Sequence, residues 1–149
     1  MEYRQANRND IIQFVENRVM FATSIRQISD VTAFKLTTRQ YIENHIEKDD
    51  LVIFLAIHNG IIASSCMACI FQTAPLPSCL SGKTAELLNV FTLPEYRKQG
   101  HAEVIVRMLL EKLKERGVEK ILLDYTDMGF PLYKKLGFVP LEKQMQLKL

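Results

Sequence analysis

Nothing in this 149-residue chain approaches the ~20 consecutive apolar residues that a membrane helix needs, and residues 1–10 are polar, without the apolar stretch of a secretion signal. A cytoplasmic protein that does not engage membranes is therefore expected. An excess of one charge is also missing. A net charge of +2 with 24% charged residues gives no basic stripe with interleaved aromatics, which argues against nucleic acid as a partner. Histidines are few (His45, His58 and His101), as are cysteines (Cys66, Cys69 and Cys79). Cys66 and Cys69 spell C-x-x-C, but on an extended strand residues three apart point to opposite faces, and no second pair completes a zinc set. Free thiols and no metal are expected. The two commoner phosphate loops, G-x-G-x-x-G and G-x-x-x-x-G-K-[ST], are both absent, as are internal repeats and low-complexity tracts.

What the chain does contain is organised around residues 86–102, E-L-L-N-V-F-T-L-P-E-Y-R-K-Q-G-H-A. Leu87, Leu88, Val90, Phe91 and Leu93 form an apolar, partly β-branched run that Pro94 ends by removing a ladder donor. After a turn, R-x-x-G-x-A (Arg97, Gly100, Ala102) leads directly into a helical pattern of Ile105, Met108, Leu109 and Leu113. A loop feeding a helix N-terminus offers unpaired N–H groups and the positive end of a dipole. Gly100 carries no Cβ to hold a phosphate away, and Arg97 and Lys98 add positive charge, so the loop reads as a pyrophosphate cradle.

This stretch resembles the acyl-CoA-binding motif [QR]-x-x-G-x-[GA] of the GNAT superfamily of N-acetyltransferases. A second segment agrees: P-L-Y-K-K-L-G-F, residues 131–138, is similar to that family's late helix ending in L-Y-x-x-x-G-F, and begins 31 residues after Gly100. The resemblance covers nearly the whole chain, which suits one domain spanning residues 1–149.

Taken in order, the chain predicts a short strand around Tyr3 and a helix capped by Asn9 or Asp10 and ending near Ile25. Residues 26–36 are expected to form a loop, and Thr37 or Thr38 to start a second helix, since Thr37-x-x-Gln40 has the capping-box form. Residues 51–58 and 61–71 flank Asn59-Gly60, the type I′ hairpin signal. The Pro- and Ser-containing segment 72–83 is a surface loop, and residues 84–93 form the central strand. A helix to Arg116 follows, then a strand over 118–125, a helix capped by Asp127 and ending at Gly137, and a final strand suggested by the alternation of Met145, Leu147 and Leu149. The fold expected is α/β, a mixed, mostly antiparallel sheet of six to seven strands flanked by helices, as in the GNAT fold. In that family the fourth and fifth strands splay apart to admit the pantetheine arm, and the acceptor amine enters from the other side.

The resemblance implies acetyl-CoA as co-substrate. It would be held by the backbone of Val90, Phe91 and Thr92 along the arm and by the amides of Lys98, Gln99, Gly100, His101, Ala102 and Glu103 at the pyrophosphate. Acetyl transfer to an amine requires a base for the amine and a donor for the departing thiolate. Glu86 matches the catalytic glutamate of some family members. It lies six residues before Thr92, expected on the same strand face and ~20 Å away at ~3.3 Å per residue; a strand-end carboxylate in solvent is the plainer alternative. Tyr133 matches the family tyrosine beside the thioester sulfur, and a phenol of ordinary pKa near 10 can donate to a thiolate of free pKa about 8.5. Its plainer role is a tyrosine packed on the core. Where the family often has a cofactor-touching Asn, this chain has Thr126. The expected function is direct transfer from acetyl-CoA to a primary amine of a small molecule or peptide; the alternative is a non-catalytic acyl-CoA-binding module. The acceptor would be selected by residues 20–38 and 72–83, and a homodimer is left open.

Overall fold

A computed structural model describes residues 1–142 and 144–149. The elements run β1 (Glu2–Gln5), α1 (Ile11–Ile25), α2 (Val31–His45), β2 (Leu51–His58), β3 (Ile61–Gln72), β4 (Lys83–Thr92), α3 (His101–Glu115), β5 (Lys120–Leu122) and α4 (Phe130–Lys135). The strands form one sheet in sequential order, antiparallel throughout except for the parallel β4–β5 pair. That pair is joined through the single helix α3, as a parallel crossover requires, whereas the two helices α1 and α2 between β1 and β2 return the chain antiparallel. The expected α/β sheet is present, with five strands among the described residues where six to seven were expected.

Two apolar clusters cover the two faces of the sheet. Ile105, Val106, Leu109 and Leu113 of α3 pack with Val52, Cys66, Ala68, Ala85, Leu87 and Tyr133 on one side. On the other side Phe14 and Val15 of α1 and Ile42 of α2 pack with Ile53, Leu55 and Met67. Cys66 belongs to the first cluster and Cys69 packs against the second, so the two sulfurs lie on opposite faces as free thiols. The hairpin turn has positive φ at both Asn59 (48°) and Gly60 (77°), the type I′ geometry that the Asn-Gly pair predicts.

Four local expectations are corrected. The N-cap of α1 is Asp10, one of the two residues expected, but its side chain does not cap that helix; the carboxylate instead accepts from the Asn7 amide while the Asn7 side chain accepts from the Asn9 amide, a box that opens a 3-10 turn running into α1. Helix α2 starts at Val31, not at Thr37 or Thr38. Asp30 accepts from the Ala33 amide at 2.8 Å, and the Thr37 hydroxyl bonds back to the Ala33 carbonyl at 2.9 Å, as a threonine inside a helix does. Only Thr38 and Ile42 of α2 are buried, which explains why residues 26–36 show no strong apolar period. At α4 the N-cap is Gly129 in place of Asp127, with no side-chain cap; the turn before it is held by Thr126, whose carbonyl accepts from the Gly129 and Phe130 amides and whose hydroxyl oxygen also accepts from Gly129.

The fourth correction concerns the far edge of the sheet. The β4–β5 ladder runs only from Thr84↔Lys120 to Glu86↔Leu122, so β5 ends at Leu122 instead of reaching Tyr125. No strand forms over residues 144–149, where Met145, Leu147 and Leu149 are exposed. Alternation builds a strand only where a ladder partner satisfies its backbone groups, and the described segment has none.

Strand β4 continues from Leu87 to Thr92 without β5 beside it, which is the splay that matters for function. A β-bulge lies within this unpaired stretch. Ser65 faces Phe91 and Met67 faces Leu88, so two β4 residues, Asn89 and Val90, stand opposite Cys66 alone. Asn89 takes the left-handed conformation (φ 54°) that this bulge requires and that Asn tolerates better than most residues. Its amide donates to Ser65 Oγ at 2.9 Å, and the Ser65 hydroxyl in turn donates to Asn17 Oδ1 of α1. The bulge reverses the side-chain alternation. Leu87 packs on the α3 side and Leu88 on the α1 side before it, whereas Val90 packs on the α3 side and Phe91 meets the tilted ring of Phe21 of α1 after it.

Candidate active site

The bulge overturns one geometric expectation: Glu86 and Thr92 do not share a strand face. Glu86 stands opposite Cys69, on the α1–α2 side, whereas Thr92 stands opposite Ser64, with 2.8 Å between their hydroxyl oxygens. Glu86 is the last β4 residue paired with β5, which puts it at the apex of the splay.

Tyr133 comes from the other side. Short helix α4 carries its ring, 9% exposed, into the α3 cluster, edge-on to Phe138 at 5.8 Å between centroids. The helix can hold the ring there because residue 129 is glycine. A Cβ at that position would stand 2.9 Å from Tyr133 Cε2. Glu86 and Tyr133 are both walls of one cavity of about 770 Å³, which runs along β5 and beneath α4. Both line this cavity, although Glu86 stands on the α1–α2 side of the sheet and the Tyr133 ring packs on the α3 side.

The Tyr133 phenol has no hydrogen-bond partner among the described residues. Burial, with a smaller contribution from Cys66, pushes its pKa up to about 12. The hydroxyl thus stays protonated across the physiological range. Full proton transfer from it to a thiolate of pKa about 8.5 would be uphill by roughly 5 kcal/mol. The group is better suited to donating a hydrogen bond to developing negative charge than to losing its proton outright.

The loop after β4 has the features of a cradle. Gly100 is the N-cap of α3 in a left-handed conformation (φ 84°), and nothing lies within 4 Å of where its Cβ would be. Lys98 is also left-handed (φ 60°). The first amide of α3 to find a carbonyl is that of Val104, which donates to Gly100 at 3.2 Å. The amides of Lys98, Gln99, Gly100, His101, Ala102 and Glu103 donate to no described group, and such a row of free N–H groups at a helix start fits a pyrophosphate.

Side chains fix the loop from several directions. Arg97 donates to the Thr92 carbonyl at 3.0 Å, Gln99 donates to the Glu95 carbonyl at 3.1 Å, and His101 Nδ1 meets the Tyr3 hydroxyl at 2.8 Å. The Glu103 carboxylate bonds Lys135 at 2.6 Å and Arg107 at 2.9 Å, and those cations lower its pKa. Lys135 thereby ties α4, and with it Tyr133, to the start of α3. Thr126 uses its hydroxyl oxygen as an acceptor for Gly129, which leaves its O–H free as a donor beside the Tyr133 helix.

Sequence reasoning missed three residues here. Asn89 makes the bulge, Gly129 makes room for Tyr133, and Arg18 lines a second cavity, of about 340 Å³, on the α1–α2 side of the sheet. Glycine spacing could have pointed to Gly129, four residues before the tyrosine; the other two depend on contacts distant in sequence. Among the described residues no three His, Cys, Asp or Glu side chains gather as a metal set, and no helix is long and apolar enough to cross a membrane.

The splayed strands, the bare loop amides and the tyrosine helix are the features that the resemblance to acetyltransferases led us to expect, and comparison with known proteins gives the family. The sequence model described as "Acetyltransferase (GNAT) family" matches residues 21–138, and the chain belongs to that family. A predicted acetyltransferase from Clostridium acetobutylicum, solved with acetyl-CoA, superposes with a TM-score of 0.90 at 25% identity over 99% of this chain and 95% of its own. Glucosamine-6-phosphate N-acetyltransferase from Arabidopsis thaliana shares the fold, with a TM-score of 0.73 at 21% identity over 99% of this chain and 97% of its own. In sequence, glucosamine 6-phosphate N-acetyltransferase from Trypanosoma brucei brucei is 38% identical over 61 residues. That match spans 41% of this chain and 42% of the relative.

Proposed function

We propose that this protein is an acetyl-CoA-dependent N-acetyltransferase that passes the acetyl group directly to a primary amine of a small molecule. The observation that carries the proposal is the parting of β5 from β4 after Glu86, which leaves the Val90–Thr92 backbone free on that edge, together with the row of unpaired amides that opens α3. The amides of Lys98 to Glu103 hold the pyrophosphate. The backbone of Val90, Phe91 and Thr92, free of β5, lies along the pantetheine arm as a neighbouring strand would. Arg97 and Lys98 add positive charge, and Thr126 offers its hydroxyl near the thioester end.

The amine nitrogen attacks the thioester carbonyl, a C–N bond forms and the C–S bond breaks. Glu86, directly or through water, takes the proton the nitrogen must lose. The electron pair leaves on sulfur, and the Tyr133 hydroxyl donates a hydrogen bond to it as the charge develops. No enzyme nucleophile is needed. Two of the proteins it resembles are named for a phosphorylated amino sugar, which supports a small-molecule acceptor over a peptide.

The test is release of free CoA thiol from acetyl-CoA by the purified protein over a panel of amino sugars, polyamines, amino acids, aminoglycosides and short peptides. Amine-dependent release is the expected result. Silence across the panel, with acetyl-CoA still raising the melting temperature, would replace the enzyme with a non-catalytic acyl-CoA-binding module.

A further inference from the structure

Arg18 is partly buried on α1, yet its guanidinium makes no hydrogen bond or ion pair with any described residue; it lies over the Phe34 ring, 5.8 Å from the centroid. The Arg26 side chain is also without a partner among the described residues, but it is exposed. Arg4, Arg8, Arg39 and Arg107 each hold a carboxylate. Desolvation of Arg18 lowers its pKa, the mark of a buried charge without a counter-ion.

The cavity that Arg18 lines is also walled by Thr38 and Tyr41 of α2, Cys69 of β3 and Leu88 of β4. Thr38 is 8% exposed, and its hydroxyl has no partner among the described residues. Tyr41 donates to Cys69 Sγ at 3.4 Å. Cys69 links this cavity to the reaction centre. It stands directly opposite Glu86 in the sheet, and both Arg18 and Glu86 act electrostatically on its thiol. A guanidinium and a carboxylate thus approach one sheet position, Cys69, the first from helix α1 and the second from the neighbouring strand β4.

We propose that this cavity is the acceptor's anion subsite: the amine acetylated here carries a phosphate or carboxylate that Arg18 and Thr38 bind, while its amino group is presented at Glu86. The planar guanidinium fork matches either anion in two-pronged fashion. Because Arg18 and Glu86 come from different elements and line different cavities, an acceptor whose amine and anion stand several bonds apart fits better than an α-amino acid, whose two groups share one carbon. This inference deepens the acetyl-transfer reading and rests on it.

The test uses matched acceptors, glucosamine 6-phosphate against glucosamine and 6-aminohexanoate against hexylamine, with wild type, Arg18→Gln and Arg18→Lys. In the wild type, kcat/KM favours the anionic member of at least one pair, and which pair shows the larger ratio distinguishes phosphate from carboxylate. Arg18→Gln collapses that ratio by ~10- to 100-fold, and Arg18→Lys, which keeps charge without the fork, retains part of it. Equal use of both members by the wild type, or an unchanged ratio in Arg18→Gln, overturns the subsite.

A binding measurement separates this from failure of the enzyme reading. Inorganic phosphate and acetate are titrated into the acetyl-CoA-saturated protein while the Thr37, Thr38 and Tyr41 amide signals are followed by NMR. Saturable shifts that vanish in Arg18→Gln support the subsite even if no amine is turned over. Their absence with both anions in the wild type overturns it even if amines are acetylated.

Discussion

Replacing Tyr133 by Phe removes a single oxygen from the site and leaves its packing in place. The ring is 9% exposed and meets Phe138 edge-on, and a phenyl group can keep that arrangement. The hydroxyl has no partner among the described residues, so its loss should not lower stability; removal of an unpaired, largely buried hydroxyl is neutral or stabilising, within about 1 kcal/mol. Its loss should be felt in the transition state, where one well-placed donor to developing negative charge is worth about 10²–10³ in rate, roughly 3–4 kcal/mol. Steady-state kinetics should therefore show kcat lowered by that factor, acetyl-CoA affinity nearly unchanged and a melting temperature equal to or above that of wild type. The pH dependence follows from the same burial. With the pKa raised to about 12, the wild-type hydroxyl remains protonated through pH 10, so kcat should show no fall there from loss of the tyrosine proton. The folded state holds this proton more tightly than the unfolded chain. The associated stability is fully present below pH ~10 and declines as pH rises toward 12. Full kcat in Tyr133→Phe would refute the donor role, and lost stability with intact kcat would make Tyr133 a packing residue.

Other substitutions probe the supports of the site. Gly129→Ala brings a Cβ to 2.9 Å from Tyr133 Cε2, so the ring must move; kcat should fall ~10-fold or more with acetyl-CoA affinity largely kept, as kinetics and calorimetry would show. Gly100→Glu adds negative charge to the cradle and a side chain at φ 84°, and acetyl-CoA binding measured by calorimetry should be abolished; unchanged affinity would remove the loop from the site. Asp10 receives two hydrogen bonds from Arg4, at 2.7 and 2.8 Å, and this pairing lowers its pKa. The contribution is present above the ordinary carboxylate range and lost as pH falls through the depressed value. Asp10→Asn should therefore cost about 1 kcal/mol at neutral pH, and melting curves should converge with wild type in acid.

Much of the fold is legible where local chemistry decides it. Asn59-Gly60 specifies its hairpin, and Pro94 with R-x-x-G-x-A marks the strand, loop and helix of the cradle. Residues governed by tertiary contacts are less legible. The run L-L-N-V-F looks like uninterrupted strand, and nothing in it announces that Asn89 adopts φ 54° and exchanges the two faces; Ser65 and Asn17, distant in sequence, hold it there. The start of α2 was obscured because that helix buries only Thr38 and Ile42. The apolar residues after Leu122 continue past the end of the β4–β5 ladder, so pattern alone makes β5 too long. At the candidate site, Tyr133 and the loop could be found by motif, whereas Arg18 could not, since only folding brings residues 18, 38, 69 and 86 to one side of the sheet.

The central claim is that the bare amides of residues 98–103 and the unpaired edge of β4 are one acyl-CoA site. Amide hydrogen exchange with and without acetyl-CoA tests it most directly. The account predicts strong slowing at Lys98 to Glu103 together with Val90 to Thr92 when acetyl-CoA is added, with little change in β1 or the Asn59-Gly60 turn. Exchange unaltered in the loop, or slowed only at a distant surface, would contradict it.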